Sequence, residues 1–516
     1  MAYFERMTDA LDHFASVSPD APATWFEGVS KTYDELKSDV DSFARALLAS
    51  GVQKGDRVGV LSTPRSEFWV AFLAILRSGA IYVGINPSYT QREQQHVVSN
   101  SELKMLFSIG SFENRSFDQD VQQILHEFDS VREVVSLVAD DEIPEATSMA
   151  EFLSRGTDQI TFEMLGPLDP AAIVYTSGST GAPKGALIPH LGLAYGSYCD
   201  AEALGVDTPR TPCNLPTNHL GGLVDVCGST LVNGGMIAFI ERFEPAKMLQ
   251  LIEELRLTNL QHVPTVLQLL ALHPDLQTRD LRSLEVVGWG GAAMGKEFIE
   301  IYANMGVRCM TIYGQTETCG NISLSRPGMS IDELASTVGY PNPDGEIRIV
   351  DEADSDVLPG EEGEVWFRHP AIFLGYFKNP EATAKTITPD GWLRSGDIAC
   401  QLPSGALKLT GRKSEMFKSG GLNVYPREIE LVLESAPEVA YCAVMGTNDP
   451  TYGESGVAFV VLHDGSTLTE EQLKQWCKAG LAGYKVPKRF VVTDSLPLLP
   501  IGKVDKKLLR EQFEIR

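Results

Sequence analysis

The stretch Tyr175 to Gly185 reads YTSGSTGAPKG, with hydroxyls at Thr176, Ser177, Ser179 and Thr180, glycines at Gly178, Gly181 and Gly185, and a cation at Lys184. Glycines let the backbone turn its N–H groups toward a common point at little steric cost, and hydroxyls add further donors. With the charge of Lys184, such a loop is suited to a polyphosphate. It is not a Walker A loop, which needs Ser or Thr directly after its lysine, whereas here Pro183 precedes Lys184 and Gly185 follows it. A flexible linker can have a similar composition. This loop directly follows the apolar run AAIVY and carries a lysine, which favours the cradle.

Further segments carry groups that could serve the same ligand. YGQTET (313–318) offers an aromatic face, hydroxyls and Glu317, and GWLRSGD (391–397) ends in Asp397. GRKSEMFKSGGLNVYPREIE (411–430) holds Arg412 and Ser419-Gly420-Gly421, LPTNHLGG (215–222) holds His219, WGGAA (289–293) is nearly side-chain-free after its tryptophan, and PIGKVDKKLLR (500–510) holds Lys503. Taken singly, each has a plainer reading. Glu317 could be a solvated loop carboxylate, Asp397 a turn residue, Tyr313 a core aromatic, His219 a satisfied structural histidine, and Lys503 one of several solvent-facing lysines in the tail.

Taken together and in order, with TYDELKSDVDSFARALLASGVQKGDRVGVL (32–61) and LAGYKVPKRF (481–490), these segments resemble the adenylate-forming superfamily. Acyl-CoA synthetases, aryl-CoA ligases, luciferases and the adenylation domains of peptide synthetases belong to it, and the resemblance covers nearly the whole chain. It implies that Thr176, Ser177, Gly178, Ser179, Thr180, Gly181 and Lys184 close over the β- and γ-phosphates of ATP. Thr316 would contact the α-phosphate and Glu317 a Mg²⁺ ion bridging the phosphates, a cation that suits one or two carboxylates plus substrate oxygens. Adenine would lie between Tyr313, with Gly314 and Gln315 beside it, and the thin wall Gly290, Gly291, Ala292 and Ala293. Asp397 would accept the ribose hydroxyls, and Arg412 would add a ribose or phosphate contact.

The resemblance further implies that Lys503 reaches the α-phosphate and the acid's carboxylate during adenylation. Ser419, Gly420 and Gly421 would then line a tunnel for the pantetheine thiol of coenzyme A after the C-terminal lid rotates. His219, Leu220, Gly221, Val263, Trp289 and Gly290 would line the acyl pocket, His219 as a gate or positioning group. Two positions depart from the pattern. Ser414 stands where the family's hinge usually has Asp or Lys, which bears on switching kinetics, and Trp289 stands where many relatives are small, so that it either crowds the pocket or packs as core.

The elements that must hold these residues show in the periodicity. Thr32 and Glu35 have capping-box spacing ahead of a helical repeat that Gly51 stops, and RVGVLS (57–62), EFWVAFLAILRSG (67–79) and IYVGINP (81–87) read as strand, helix and strand, hence parallel pairing. Strand-like runs recur at AAIVYTS (171–177), MIAFIE (236–241), LEVVGWG (284–290) and CMTIYG (309–314), and glycine-rich loops at their ends suggest one shared cleft. After Pro341 the texture changes to short β pieces, and from about Arg412 to an α+β unit of two helix-like and two strand-like runs with a basic tail. The expected fold class is α/β. A large N-terminal domain (1–411) of parallel sheets with flanking helices would carry a small β lobe from about 341, followed by a smaller mobile α+β lid (412–516).

Composition bounds the rest. A chain of 516 residues exceeds one compact core, and 43% hydrophobic with 22% charged residues is ordinary for a globular protein. A net charge of −26 disfavours nucleic-acid or anionic-membrane partners, which need a basic footprint. The eight cysteines show no CxxC or metal spacing and read as free buried thiols. The N-terminus MAYFERMTDALDHF lacks a basic region before an apolar run, and no apolar run of membrane-spanning length occurs, so a cytoplasmic protein is expected, with a homodimer left open. The mostly apolar pocket lining, and Leu220 where amino-acid-activating relatives carry Asp, favour an aromatic or medium-chain acid. CoA is the expected acceptor; a carrier-protein thiol or an amine is the alternative, and a non-catalytic nucleotide-binding protein is disfavoured because Lys184, Glu317, Asp397 and Lys503 are all present.

Overall fold

A computed structural model describes residues 3–139, 141–176, 183–463, 465–498 and 504–513. The chain divides into two compact units: residues 1–292, 300–327 and 368–393 form the first, and residues 293–299, 328–367 and 394–516 the second.

In the first unit, the capping box forms as its spacing predicts. Thr32 Oγ1 accepts from the Glu35 N–H, Glu35 returns the bond to the Thr32 N–H, and the helix Tyr33–Ala49 follows. The apolar run after Arg65 becomes the helix Ser66–Ser78, buried nearly throughout and stopped by Gly79, which takes the left-handed φ of 80° that a side chain resists. This helix connects Arg57–Leu61 to Ile81–Ile85, which pair in parallel. Among the described residues, a sheet runs in the order Lys184–Pro189, Pro170–Thr176, Ile81–Ile85, Arg57–Leu61, Met105–Ser108, Glu133–Ser136.

The later strand-like runs do not join that sheet. Met236–Phe239 pairs in parallel with Arg210–Cys213 and Pro22–Phe26, while Val286–Trp289 lies between Asn259–His262 and Arg308–Gly314, also in parallel. Asn321–Leu324 closes antiparallel on Arg308–Gly314. The glycine-rich strand ends therefore come from separate sheets. One helix, His190–Leu204, is apolar on nearly every side and packs on several of these elements: Leu204 meets Val286 and Met310. Gly196 lies so close to the turn after Glu317 that a Cβ there would stand 2.0 Å from the Cys319 carbonyl oxygen.

In the second unit, Glu346–Val350, Gly363–Arg368, Leu393–Gln401 and Leu407–Arg412 form one sheet in chain order. A further sheet is built on the long antiparallel pair Val439–Asp449 and Gly453–Leu462, joined by Phe417–Ser419, Leu422–Val424 and Arg489–Val492, with helices Pro426–Glu434, Glu470–Gly480 and Lys506–Gln512. Its core gathers Phe417, Val424, Ile429, Leu433, Val444 and Leu473, all buried. Among the described residues, no helix is long and apolar enough to cross a membrane, and the cysteines are free thiols, seven of them buried.

Candidate active site

The two ends of the glycine-rich loop are pinned by sheet pairing. Thr176 and Lys184 are direct partners in the antiparallel pair that flanks it, and the Thr176 hydroxyl donates to the Lys184 carbonyl at 3.4 Å. His96 Nε2 meets the Pro183 carbonyl oxygen at 2.9 Å. Ser177, Gly178, Ser179, Thr180 and Gly181 lie outside the described residues, as does Lys503.

Glu317 sits in a single 3₁₀ turn, Thr316–Thr318, directly after the strand Arg308–Gly314 that carries Tyr313 and Gly314. The turn is fixed by Thr318, whose hydroxyl accepts from the Gln315 N–H at 3.0 Å and donates to the Gly320 carbonyl at 2.7 Å. Gly314 cannot be larger, because a Cβ there would stand 2.5 Å from the Gly320 carbonyl oxygen. Tyr313 is buried and Gln315, Thr316 and Glu317 are half-buried, so the polar groups of the motif retain access to solvent. The Glu317 carboxylate accepts from the phenol of Tyr376 at 2.6 Å, and the Lys184 ammonium lies 5.3 Å from the centre of the same ring. The sequence reading missed Tyr376, which lies outside the quoted segments in GYFKNPEAT.

Glu317 suits a small hard cation that takes one carboxylate and completes its shell from phosphate and water. Among the described residues, no three His, Cys, Asp or Glu side chains gather to make an all-protein metal cage.

On the neighbouring strand, Gly290 follows Trp289 with its Cα against Ile312, where a Cβ would stand 3.0 Å from Ile312 Cγ1. Gly291, with φ 79°, and Ala292 are exposed, and exposed Ala293 begins the second unit. Trp289 is 1% exposed. His262, its register partner, places Nε2 3.1 Å from Asn214 Oδ1, accepts from the Val263 N–H through Nδ1, and is held neutral by burial, which lowers its pKa to about 4.

His219 is exposed, and its Nδ1 accepts from the Gly221 N–H at 3.1 Å, so the neutral ring carries its proton on Nε2. Leu220 is buried, and the chain then winds into a π-helix, Gly221–Gly228, a form concentrated at functional sites. This winding brings in a carboxyl group that the sequence reading passed over. Asp225 Oδ2 would stand 3.8 Å from a Gly221 Cβ, and Asp225 shares a hydrogen bond with Asp200 of the helix His190–Leu204. Asp200 in turn accepts from the Asn321 amide.

Burial raises the Asp200 pKa far above the usual carboxylate range, the nearby Asp225 charge adding to the effect, and burial pushes Asp225 up to about 6. A carboxyl whose pKa is raised from 3.8 by folding binds its proton more tightly when native, so stability falls as pH rises from the unfolded value through the folded one. Thermal midpoints of the wild-type protein are expected to drop between pH 4 and pH 6.5, and Asp225→Asn to flatten that drop. Parallel profiles for the two proteins would show that the pair does not hold a proton.

In the second unit, Asp397 and Arg412 are register partners on adjacent strands, with Arg412 Nε 2.8 Å from Asp397 Oδ1 and the carboxylate buried. Ser419, Gly420 and Gly421 form the tip of a hairpin in which Ser419 pairs with Leu422. The two glycines have φ values of 60° and 82°, as a two-residue hairpin turn of right-handed twist requires.

The chain as a whole is similar to known proteins. The family model described as AMP-binding enzyme matches residues 11–377, and the model for the C-terminal domain of AMP-binding enzymes matches 428–503. The feruloyl-CoA synthase of an Amycolatopsis species is 33% identical over 97% of both chains. ATP-bound MatB from Rhodopseudomonas palustris superposes with a TM-score of 0.88 at 28% identity over 99% of each chain. The amide bond synthetase McbA from Marinactinospora thermotolerans does so with 0.87 at 29% over 98% of this chain and 100% of the other.

Proposed function

The chain belongs to the AMP-binding enzymes and is an AMP-forming acid–thiol ligase, and from that premise we propose that it joins an aromatic or medium-chain carboxylic acid to AMP and then to coenzyme A. The observation that carries this reading is that Lys184 and Glu317 both meet Tyr376, the ammonium 5.3 Å from the centre of its ring and the carboxylate 2.6 Å from its hydroxyl. A cation at the mouth of a glycine-rich loop and a half-buried carboxylate so close together are what a metal–triphosphate complex needs.

In this reading the acid's carboxylate attacks the α-phosphate of ATP, forming the acyl–phosphate bond and releasing pyrophosphate. An anion approaches an anion, so alignment and charge neutralisation do most of the work. Lys184 binds the outer phosphates, Thr316 orients the α-phosphate, and Lys503 neutralises the charge developing between the acid and that phosphate. Bound Mg²⁺ supplies further neutralisation, held by Glu317. Tyr313 and the Gly290–Ala293 segment bind adenine, and Asp397 with Arg412 binds ribose. The acid rests against Gly221 and Val263, backed by the buried Leu220 and Trp289, with His219 at the thiol's approach.

The aromatic acid is supported by the feruloyl-CoA synthase relative and by the apolar character of that wall. A second acceptor class has an observation in its favour: McbA, similar along its whole length, is an amide bond synthetase. Pyrophosphate release from a panel of aromatic and medium-chain acids, with and without CoA, separates the readings. Acid-dependent release that yields a thioester only when CoA is added is expected. Amide formation with an added amine, and no thioester, would move the assignment to the second class; no acid-dependent release at all would defeat both.

Gly421→Leu tests the thiol-transfer role. Its Cβ would meet nothing within 4 Å, so only the positive φ resists it, at a cost of about 1 to 3 kcal/mol. Pyrophosphate exchange is expected to stay near wild type while CoA turnover falls about tenfold by loss of close backbone approach. Undiminished CoA turnover would remove Gly421 from the thiol's path.

A further inference from the structure

We infer that Tyr376 is a positioning residue that holds the metal-binding carboxylate and the phosphate-binding ammonium apart and ready; this rests on the roles proposed above for Glu317 and Lys184. The segment around Tyr376 is laid alongside the strand Lys184–Pro189 by backbone bonds: Leu374 N–H to the Leu187 carbonyl at 2.8 Å, Leu187 N–H to the Gly375 carbonyl at 2.9 Å, and Phe377 N–H to the Gly185 carbonyl at 2.7 Å. The Tyr376 N–H itself donates to Thr383 Oγ1 at 2.9 Å. The same segment grips the backbone of the metal-site turn, because the Phe373 N–H donates to the Glu317 carbonyl at 3.0 Å. The Phe373 ring then meets the Tyr376 ring edge-on, with centroids 5.0 Å apart. Tyr376 therefore has its orientation set by both elements whose side chains it touches.

Its phenol has one donor and gives it to Glu317 Oε1 at 2.6 Å, within the short range expected when the acceptor is charged. Fixing one oxygen fixes the plane of the carboxylate, which presents the other in one direction rather than across the rotamers open to a free glutamate.

The ring has a second effect. Lys184 lies over it at 5.3 Å, where the negative face of the π system attracts a cation. Among the described residues, Lys184 and Glu317 form no ion pair with one another: each instead meets Tyr376, the carboxylate at its hydroxyl and the ammonium over its ring. A direct pair would have to be broken each time a metal–triphosphate complex entered, because the same two charges are needed by ligand groups of opposite sign. Engaging each through a neutral aromatic keeps both charges available, and its hydroxyl and its face serve one each.

Two substitutions separate these roles. Tyr376→Phe removes the hydroxyl and keeps the ring, and Tyr376→Leu removes both. Calorimetric titration of the purified full-length protein with ATP, once with excess Mg²⁺ and once in EDTA, reads the result without any turnover. Tyr376→Phe is expected to weaken MgATP binding about tenfold, the scale of one hydrogen bond to a charged group, and to leave metal-free ATP binding within about twofold. Tyr376→Leu is expected to weaken both, as Lys184 settles on Glu317. Equal losses in both titrations for Tyr376→Phe, or no loss in either, would overturn the positioning role while leaving the nucleotide site intact. A wild-type protein that does not bind MgATP would overturn the proposed function and this inference with it.

Discussion

Alanine at position 503 is expected to lower acid-dependent exchange of labelled pyrophosphate into ATP by about two to three orders of magnitude, while a supplied acyl-adenylate still proceeds to thioester at close to the wild-type rate. The asymmetry follows from where charge develops. In the first half-reaction two anions meet at the α-phosphate, and removing the cation that the proposed mechanism uses there raises the barrier directly. In the second half-reaction a neutral thiol or its thiolate attacks an acyl carbon already activated by AMP, and that cation is not needed.

Lys506 cannot take over. Lys506 Nζ is held by Glu415 Oε2 at 2.7 Å and Glu430 Oε1 at 3.0 Å, on the helix Lys506–Gln512 whose first turn is capped by Asp505. Glu430 is buried, and its charge is matched by Lys506 together with Arg427. Lys506 is thus a structural cation of the C-terminal sheet and helices. Losses of similar size in both half-reactions would show that Lys503 supports the fold of that region rather than the adenylation step.

Glu317→Gln is the second large effect, about two to three orders of magnitude in the same exchange, with the Mg²⁺ concentration needed for half-maximal rate rising in parallel. Glutamine has the shape of glutamate, and its amide oxygen can still accept from the Tyr376 hydroxyl, so the turn Thr316–Thr318 keeps its geometry. What is lost is the negative charge that makes a hard cation bind. An unchanged Mg²⁺ dependence, whatever the rate, would place the metal elsewhere.

Much of the fold could be read from local pattern. The capping box at Thr32 and Glu35, the buried helix stopped by Gly79, and the strand–helix–strand order around it all follow from side-chain period and backbone sterics within a short window. What the period could not tell was which strands share a sheet. Met236–Phe239 and Val286–Trp289 have the same apolar texture as Pro170–Thr176, yet hydrogen-bond to other partners, because pairing is decided by the chain's long-range course.

The candidate site divides the same way. The quoted motifs point to Glu317, Lys184 and Asp397, because their neighbours are unusual in type and spacing. Tyr376 and Asp225 give no such signal. A tyrosine in GYFKNP and an aspartate within GGLVDVCG take their meaning from partners far along the chain, Glu317 and Asp200. In the π-helical winding of Gly221–Gly228, Asp225 shares a hydrogen bond with Asp200, and no sequence period announced that winding.

The closeness of Gly196 to the Cys319 carbonyl has a consequence for how this chain can drift. The backbone just beyond Glu317 is gauged by a helix surface with nothing on it, so the helix His190–Leu204 acts as a spacer whose thickness at that point is one hydrogen. A methyl group added there, harmless on an isolated helix, would displace the turn that presents the Glu317 carboxylate. Substitutions at Gly196 should therefore be filtered by catalysis before they are filtered by helix stability.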